Sequence, residues 1–223
     1  IRGDIKNVNF LRKTIHEIKP DRIIHLAALP IADLSNVFSE EAMQNNLQGT
    51  VNILEVIKES LFLKRFVYTS SSMIYGDFQY APADENHIKN PKDLYGATKY
   101  CGEIMTQAFG QRFGIEYTIV RPSAVYGPTD INRRVSGLFL ELALKKQPLV
   151  LHNGGKSKLD FTYIEDIADG FILAATKSEA KNDVFNITRG EGRSLKELAD
   201  IVAKSIPGVT TIEKEPDMFR PER

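Results

Sequence analysis

The segment "KRFVYTSSSMIYG" (residues 64–76) joins an apolar run to a row of small hydroxyl residues. The run Phe66–Tyr68 has the composition of a buried strand, and Thr69–Ser72 follows it at once. This pattern predicts a strand whose C-terminal end opens into a polar cleft. Serine is also common in turns, so a purely structural turn remains the alternative.

Strand-like and helix-like segments alternate around this stretch. In chain order they cover residues 21–29, 45–60, 64–71, 93–113 and 116–127. Short apolar strands separated by amphipathic helices are typical of βαβ units, so we expect an α/β fold with a mainly parallel sheet. Ligands of such sheets bind at the carboxyl ends of the strands. Three strands end in "HLAALP" (25–30), "TSSSMIYG" (69–76) and "RPSAVYGP" (121–128), which predicts a site at this edge.

The pattern changes near the middle of the chain. Residues 1–127 are expected to form the sheet domain, whereas 128–223 have the pattern of a smaller α/β lobe. We expect this lobe to be interleaved with the sheet, with one strand or helix returning to the sheet domain near 160–190. Within the lobe, Ser194 precedes a helical pattern and Glu197 follows three residues later, which predicts a capping box.

The composition is that of an ordinary globular protein, with 42% hydrophobic and 26% charged residues. Lys plus Arg and Asp plus Glu both number 29, so no basic excess indicates nucleic acid as a partner. The single cysteine, Cys101, and four scattered histidines predict neither a disulfide nor a metal site, and favour a cytoplasmic location. Since the sequence has no apolar stretch of about 20 residues, we expect no membrane partner.

The strongest chemical signal is Tyr95-Gly-Ala-Thr-Lys99, which lies in a helical pattern. A spacing of four places both side chains on one helix face, about one turn apart. Lowering a tyrosine pKa from about 10 to about 7 needs roughly 4 kcal/mol, and an ammonium at about 4 Å supplies roughly that much at an effective dielectric constant near 20. The pair therefore predicts a tyrosine base. Such a pair also occurs by chance on solvated helix faces.

A serine hydroxyl at the tip of the preceding strand adds to this signal. It could hydrogen-bond the same substrate oxygen that Tyr95 deprotonates, as an alcohol is oxidised. The serines, the tyrosine and the lysine would then share one task.

Six segments, in this order and at these intervals, resemble one known family. They are "HLAALP", "NLQGTVNILE", "YTSSSMIYG", "YGATK", "RPSAVYGP" and "LDFTYIEDIADG". The sequence is similar to the extended short-chain dehydrogenase/reductases, in the NAD-dependent sugar-nucleotide epimerase/dehydratase branch. The resemblance implies a Rossmann-type doubly wound parallel sheet, NAD as cofactor and a smaller substrate lobe. It also implies that Tyr95 is the catalytic base, that Lys99 lowers its pKa and binds the nicotinamide ribose, and that Ser71 is the catalytic hydroxyl.

The same resemblance implies further binding residues. For the cofactor they are Asp4 and Ile5 at the adenine, Leu26, Ala27 and Ala28 along the ribose and pyrophosphate, Asn46 as a brace, Tyr95 and Lys99, and Pro122 and Ser123 beside the nicotinamide. For the nucleotide sugar they are Ser71, Ser72, Tyr95 and Arg220. Several have plain structural alternatives: the alanines in helix packing, Asn46 in a turn and Arg220 as a solvated arginine. We interpret His25 as a hydrogen-bonded core histidine.

The sequence departs from the family pattern at three places. The glycine-rich pyrophosphate loop is missing, so we expect two N-terminal βα units of the fold to be absent from this sequence. Ser72 and Met73 stand where the 4,6-dehydratases carry acidic residues. Ala124 and Leu159 stand where many members have an asparagine and an arginine, so substrate placement is expected to differ in detail.

These residues favour an NAD-dependent epimerase acting at C4 of a nucleotide sugar, such as a UDP-sugar, through a transient 4-keto intermediate. One alternative is an NAD(P)-dependent nucleotide-sugar reductase or dehydrogenase, and another is a non-catalytic nucleotide-binding protein of the same fold. The resemblance also implies a homodimer formed through two helices per subunit. Their second apolar faces are expected to include Cys101, Ile104, Met105, Ile53 and Val56, with burial against the sheet as the alternative.

Overall fold

The computed structural model describes residues 1–30, 32–130 and 134–215. The helices are α1 (Val8–Ile18), α2 (Ala32–Val37), α3 (Ser39–Ala42), α4 (Gly49–Ile57), α5 (Leu94–Phe113), α6 (Val135–Leu144), α7 (Ile164–Thr176) and α8 (Leu195–Ser205). The strands are β1 (Arg22–His25), β2 (Arg65–Thr69), β3 (Tyr117–Pro122), β4 (Ala124–Tyr126), β5 (Leu149–His152), β6 (Lys158–Leu159), β7 (Phe161–Tyr163), β8 (Asp183–Ile187), β9 (Arg193–Ser194) and β10 (Thr211–Lys214).

These elements form two compact units. The first consists of residues 1–122 and 167–187, and the second of residues 123–166 and the chain from 188 onward. None of the described helices combines the length and the apolar character that crossing a lipid bilayer requires.

The first unit is built on a four-stranded parallel sheet with the order β1-β2-β3-β8. Val67 of β2 lies opposite Ile24 of β1 and Thr118 of β3. The central position of β2 explains why Phe66, Val67 and Tyr68 are all fully buried. The predicted parallel α/β sheet of Rossmann type is therefore confirmed.

Helices cover both faces of this sheet. On one face, side chains of α1, α4 and α5 pack with alternate residues of β2 and β3 in one apolar core, which includes Leu54, Tyr68 and Ile119. On the other face, Thr118 donates a hydrogen bond from its hydroxyl to the carbonyl oxygen of Ala174 in α7, at 3.1 Å. The two-residue period of β3 thus sends Thr118 and Ile119 to different layers.

Helix α5 begins at a well-formed cap. Asp93 is the N-cap, and its Oδ1 accepts a hydrogen bond from the Gly96 backbone N–H at 2.7 Å. Gly102 lies where α5 crosses β2, and a Cβ atom there would clash with the Tyr68 hydroxyl. The glycine therefore lets the helix approach the sheet closely, which fixes the depth at which the first half of α5 lies.

A π-helical stretch, Met43–Gln48, connects α3 to α4. The continuous helical segment therefore begins at Ser39, before the predicted start at residue 45. Asn46 lies inside the π stretch and is 1% exposed, so the alternative of Asn46 as a turn residue is wrong. π-Helical stretches often occur at functional sites because their wide turn redirects one side chain.

The expectation that Ile53 and Val56 form a second, outward apolar face was wrong. Both side chains are 5% exposed and belong to the core under the sheet, and Met105 packs against that core. Cys101 is exposed, as is Ile104 with 48% of its surface accessible. The outward apolar surface on α5 is therefore narrower than the sequence predicts.

The second unit has its own core, in which α6 and α8 pack on β5 through residues such as Phe139, Leu149 and Val202. β5 pairs with β10 and β4 with β7 in parallel, whereas β6 and β9 are antiparallel. The predicted capping box at the start of α8 is confirmed: Ser194 Oγ accepts from the Glu197 N–H, and the Glu197 carboxylate accepts from the Ser194 N–H.

Candidate active site

The residues predicted to contact substrate begin where β2 ends. Ser71 is 8% exposed and is the N-cap of a 3₁₀ turn, Ser72–Tyr75, with its Oγ accepting a hydrogen bond from the Met73 N–H at 3.2 Å. Ser72 is half-buried as the first residue of that turn. The strand therefore presents its hydroxyls at the carboxyl edge of the sheet. Arg220 lies outside the described residues.

The start of α5 packs directly against this turn. A Cβ atom at Gly96 would lie 2.7 Å from the Met73 carbonyl oxygen. Because Tyr95 precedes Gly96 and Ser71 lies two residues before Met73, the close approach brings the two predicted catalytic segments together. Only glycine at position 96 permits it.

The Lys99 side chain lies between the same two segments. It is 3% exposed, its Nζ donates to the Thr69 carbonyl oxygen at 2.8 Å, and it lies 5.8 Å from the Tyr95 ring centroid. Burial lowers the pKa of Lys99 to about 8. The ammonium is thus still the main form at neutral pH, where it favours the phenolate of a neighbouring tyrosine.

Asn46 joins two of the motifs by hydrogen bonds. Its Oδ1 accepts from the Leu29 N–H at 2.7 Å, and its Nδ2 donates to the Leu29 carbonyl oxygen at 3.3 Å and to Thr98 Oγ1 at 3.2 Å. The Thr98 hydroxyl in turn donates to the Tyr95 carbonyl oxygen at 2.9 Å. One buried amide therefore holds the segment after β1 against the first turn of α5.

His25 extends this network. Its Nε2 lies 3.0 Å from Thr50 Oγ1, and the Thr50 hydroxyl donates to the Asn46 carbonyl oxygen at 2.7 Å. Since that hydroxyl proton is already used, Nε2 carries the proton that His25 donates. Burial, and secondarily the charge of Lys99, lower the pKa of His25 to about 3, so the ring is neutral at pH 7.

The predicted adenine residues lie before α1. Asp4 is exposed, and its Oδ1 accepts from the Lys6 N–H at 2.9 Å. Ile5 is half-buried, and its carbonyl oxygen accepts from Asn52 Nδ2 at 3.0 Å. This loop is thereby fixed to α4, with the Asp4 side chain facing solvent.

The remaining predicted cofactor residues follow β1 and β3. Leu26 is 61% exposed, Ala27 is exposed and Ala28 is half-buried. Pro122 is half-buried at the end of β3. Ser123, also half-buried, is the first residue of the second unit.

One buried ion pair was missed at the sequence level. Arg121 and Glu103 are 3% and 1% exposed, and they are hydrogen-bonded through both carboxylate oxygens. The signal in the sequence was weak: a charged residue in an apolar strand and another in the middle of a helix, 18 positions apart in the chain.

The end of β2 also carries unsatisfied polar groups. Among the described residues, no hydrogen-bond partner exists for Thr69 Oγ1 or Ser70 Oγ, although both atoms are buried. Buried hydroxyls without a hydrogen-bond partner are unfavourable unless another group forms a hydrogen bond with them. A polar group bound at this edge of the sheet would be a suitable partner for the two hydroxyls. Within the described part of the chain, no group of three or more His, Cys, Asp or Glu side chains could hold a metal ion.

Curated proteins are similar in sequence to this chain over most of its length. A "Putative UDP-glucose 4-epimerase" of Methanocaldococcus jannaschii is 35% identical over 164 residues, 72% of this chain and 53% of the relative. The dTDP-D-glucose 4,6-dehydratase of Dictyostelium discoideum is 30% identical over 197 residues, 83% of this chain and 45% of the relative. The chain thus spans about half the length of these relatives.

A solved structure shares the fold. UDP-glucuronic acid 4-epimerase from Bacillus cereus, in complex with UDP-glucuronic acid and NAD, superposes with a TM-score of 0.89 and 29% identity, covering 100% of this chain and 70% of that one. The family model that matches residues 1–188 is described as NAD dependent epimerase/dehydratase. The chain therefore belongs to the NAD-dependent epimerase/dehydratase family, and NAD is the cofactor of that family.

Proposed function

We propose that the protein is an NAD-dependent epimerase that inverts C4 of a nucleotide sugar through a transient 4-keto intermediate. The observation that carries this proposal is the arrangement at the end of β2. A buried lysine lies beside Tyr95, and Ser72 and Met73 stand where, by resemblance, the 4,6-dehydratases carry acidic residues. The first feature supports reversible oxidation of an alcohol. The second argues against dehydration.

Tyr95 is the proposed base for the C4 hydroxyl proton. An ammonium about 6 Å away stabilises a phenolate by roughly 3 kcal/mol at an effective dielectric constant near 20, which corresponds to about 2 pKa units. Lys99 lies 5.8 Å from the Tyr95 ring centroid and is anchored to the Thr69 carbonyl. The anchored charge therefore stays beside the phenolate during the reaction.

Ser71 is the proposed partner of the same substrate oxygen. Its backbone is extended and its Oγ is held by the Met73 N–H, so the hydroxyl proton is free to be donated. A donated hydrogen bond stabilises the oxygen while its proton passes to Tyr95 and supports the 4-keto group afterwards. Ser71 would thus donate a hydrogen bond to the same substrate oxygen whose proton Tyr95 takes.

Other residues would hold the cofactor. Lys99 would contact the nicotinamide ribose, Pro122 and Ser123 the nicotinamide, and Ala27 with Ala28 the ribose and pyrophosphate. When bound, NAD supplies a reversible acceptor for the hydride of C4. The role of the chain is to orient C4 toward it, to move the hydroxyl proton and to exclude water.

The residues at 72 and 73 separate two chemistries of the family. Elimination of water between C5 and C6 requires a base for the C5 proton and an acid for the leaving hydroxyl. By resemblance, the dehydratases place acidic residues at these positions. Met73 has a thioether that neither takes nor gives a proton, and Ser72 is a weak acid and base. Inversion at C4 needs neither group.

A nucleotide sugar labelled with deuterium at C4 tests the proposal, using the intact natural protein loaded with NAD. Epimerisation returns the label to C4 of the product. A 4,6-dehydratase would transfer it to C6, and a dehydrogenase would leave it on released NADH. Mass spectrometry of product and cofactor distinguishes the three results, and any label outside C4 of the sugar contradicts the proposal.

We also propose that the protein is a homodimer that pairs through α5 and the helical segment of α3 and α4. The exposed Ile104 and Cys101 lie on one side of α5, three residues apart, and Met43 is 52% exposed. Apolar side chains on one helix face are favourable in water only when another surface covers them.

A further inference from the structure

A buried ion pair joins α5 to β3. Arg121 Nε donates to Glu103 Oε1 at 2.8 Å, and Arg121 Nη2 donates to Glu103 Oε2 at 2.7 Å. The side chains are 3% and 2% exposed. Burial acts to lower the pKa of Arg121, but the hydrogen bonds and charge of Glu103 raise it overall, so the guanidinium stays charged. Bidentate pairs fix orientation as well as distance.

The same guanidinium reaches the catalytic turn. Arg121 Nη1 donates to the Tyr75 hydroxyl oxygen at 2.8 Å and to the Glu85 carbonyl oxygen at 3.0 Å. The Tyr75 hydroxyl donates to Asn186 Oδ1 at 2.7 Å, and the Asn186 N–H donates to Glu85 Oε1 at 2.7 Å. Arg121 therefore lies at the centre of a network that links α5, the 3₁₀ turn, β8 and the loop before α5.

The two side-chain partners of Arg121 belong to the two segments that carry the proposed catalytic residues. Glu103 lies one helical turn beyond Lys99, and Tyr75 is the last residue of the turn that begins with Ser71 as its cap. A rigid link between these segments would fix the position of Tyr95 relative to the Ser71 hydroxyl. The ion pair itself is weak evidence for stability, because apolar residues often replace such pairs without loss.

We propose that Arg121, Glu103 and Tyr75 are positioning residues that hold the helix of Tyr95 and Lys99 in register with Ser71. The expected fall in rate rests on the proposed function. The expected change in the Tyr95 titration does not depend on it. If the link is released, α5 shifts relative to β2, so the Lys99 side chain loses its anchor at the Thr69 carbonyl and its ammonium no longer stays beside Tyr95. The Tyr95 phenolate then becomes less stable, and the rate falls without a change in substrate affinity.

Tyr75→Phe is the sharpest variant because it removes one hydroxyl and no charge. Arg121→Lys keeps the positive charge but cannot form the two parallel hydrogen bonds to Glu103. The matched control is Arg65→Lys, since Arg65 is a second buried arginine of the same sheet, 6% exposed and hydrogen-bonded to Thr118 Oγ1 and the Ala174 carbonyl at the opposite end of the strands. Arg65→Lys is expected to lower the melting temperature and to leave the rate per folded molecule within twofold of wild type.

The deciding measurement is the phenolate titration of Tyr95 by ultraviolet difference spectroscopy. Each protein is referenced to the same variant carrying Tyr95→Phe. We expect the midpoint to rise by about half a pH unit or more in Tyr75→Phe and Arg121→Lys, a factor of about 3 in the ionisation constant, and not in Arg65→Lys. An unmoved midpoint in both overturns the inference.

Kinetics give the second readout. With a nucleotide sugar that the wild-type protein turns over, Tyr75→Phe is expected to lower kcat about tenfold while KM stays within twofold. A raised KM with unchanged kcat would contradict a positioning role. If the wild-type protein turns over no nucleotide sugar, the proposed function fails, and the titration still decides whether the network positions Tyr95.

Discussion

Lys99 Nζ donates a hydrogen bond to the carbonyl oxygen of Thr69 across 2.8 Å. The bond joins α5 to the last residue of β2, and Ser71 follows two positions later. The bond holds the Lys99 ammonium beside the Tyr95 ring, while burial lowers the pKa of Lys99 to about 8. One contact thus keeps the ammonium beside the proposed base.

Replacing Tyr95 by Phe should abolish most of the turnover. The change removes the proposed base and keeps the aromatic packing, so we expect a loss of at least about a hundredfold in kcat. NAD affinity, measured by calorimetry, should stay within a fewfold of wild type. A variant with wild-type kcat would show that another group takes the proton.

Replacing Asn46 by Ala should weaken both the fold and the cofactor site. It removes three hydrogen bonds and leaves the Leu29 backbone groups without this partner, so we expect a loss of about 1–3 kcal/mol in the free energy of unfolding. The neighbouring change Asn45→Ala is the control, because Asn45 makes one long contact to Glu41, at 3.5 Å. Urea unfolding and NAD calorimetry should separate the two, and equal effects would contradict the bracing role.

His25 predicts a specific loss of stability in acid. Its folded pKa of about 3 lies below the unfolded value of 6.5, so the unfolded state binds the proton first and the free energy of unfolding falls between pH 6.5 and about 3. From pH 6.5 to 5 this amounts to about 1.6 kcal/mol.

The variant His25→Gln keeps a donor toward Thr50 and cannot titrate. The unfolding free energy of this variant should therefore decline less between pH 6.5 and pH 5 than the unfolding free energy of the wild-type protein. His16→Gln is the matched control, since His16 is exposed on α1. Parallel curves for wild type and His25→Gln in urea unfolding at both pH values would contradict the buried neutral histidine.

Ile104 tests the proposed dimer. Replacing it by Glu places a charge on the exposed face of α5, which should convert a dimer to a monomer in light scattering at micromolar concentration. Ile201, 62% exposed on α8, provides the control Ile201→Glu, which should leave the mass unchanged. A monomeric wild-type protein would contradict the proposal outright.

Local patterns were sufficient for much of the fold. The apolar run before Thr69 predicted β2, and Ser194 with Glu197 predicted the cap of α8, because both depend on residues close in sequence. The direction of Ile53 and Val56 could not be predicted in the same way. The π stretch before α4 inserts a wider turn, which rotates every later side chain relative to a regular helix.

In the candidate site, too, residues in short sequence motifs could be predicted, whereas contacts between distant segments could not. Ser71, Tyr95 and Lys99 stand in short motifs that the sequence displays directly, and their catalytic roles remain proposals. The pair Glu103 and Arg121 could not be predicted, because the two residues belong to different elements and meet only when α5 lies on β3. Ion pairs between distant segments have no sequence spacing of their own.

The central claim is epimerisation without net consumption of cofactor. The intact natural protein, loaded with NAD, should be incubated with UDP-, GDP- and dTDP-sugars while NADH absorbance is recorded and the sugars are separated by chromatography. The account predicts interconversion of C4 epimers of at least one nucleotide sugar, with NADH remaining below the enzyme concentration. Stoichiometric NADH, or release of a 4-keto-6-deoxy sugar without the C4 epimer, would contradict it.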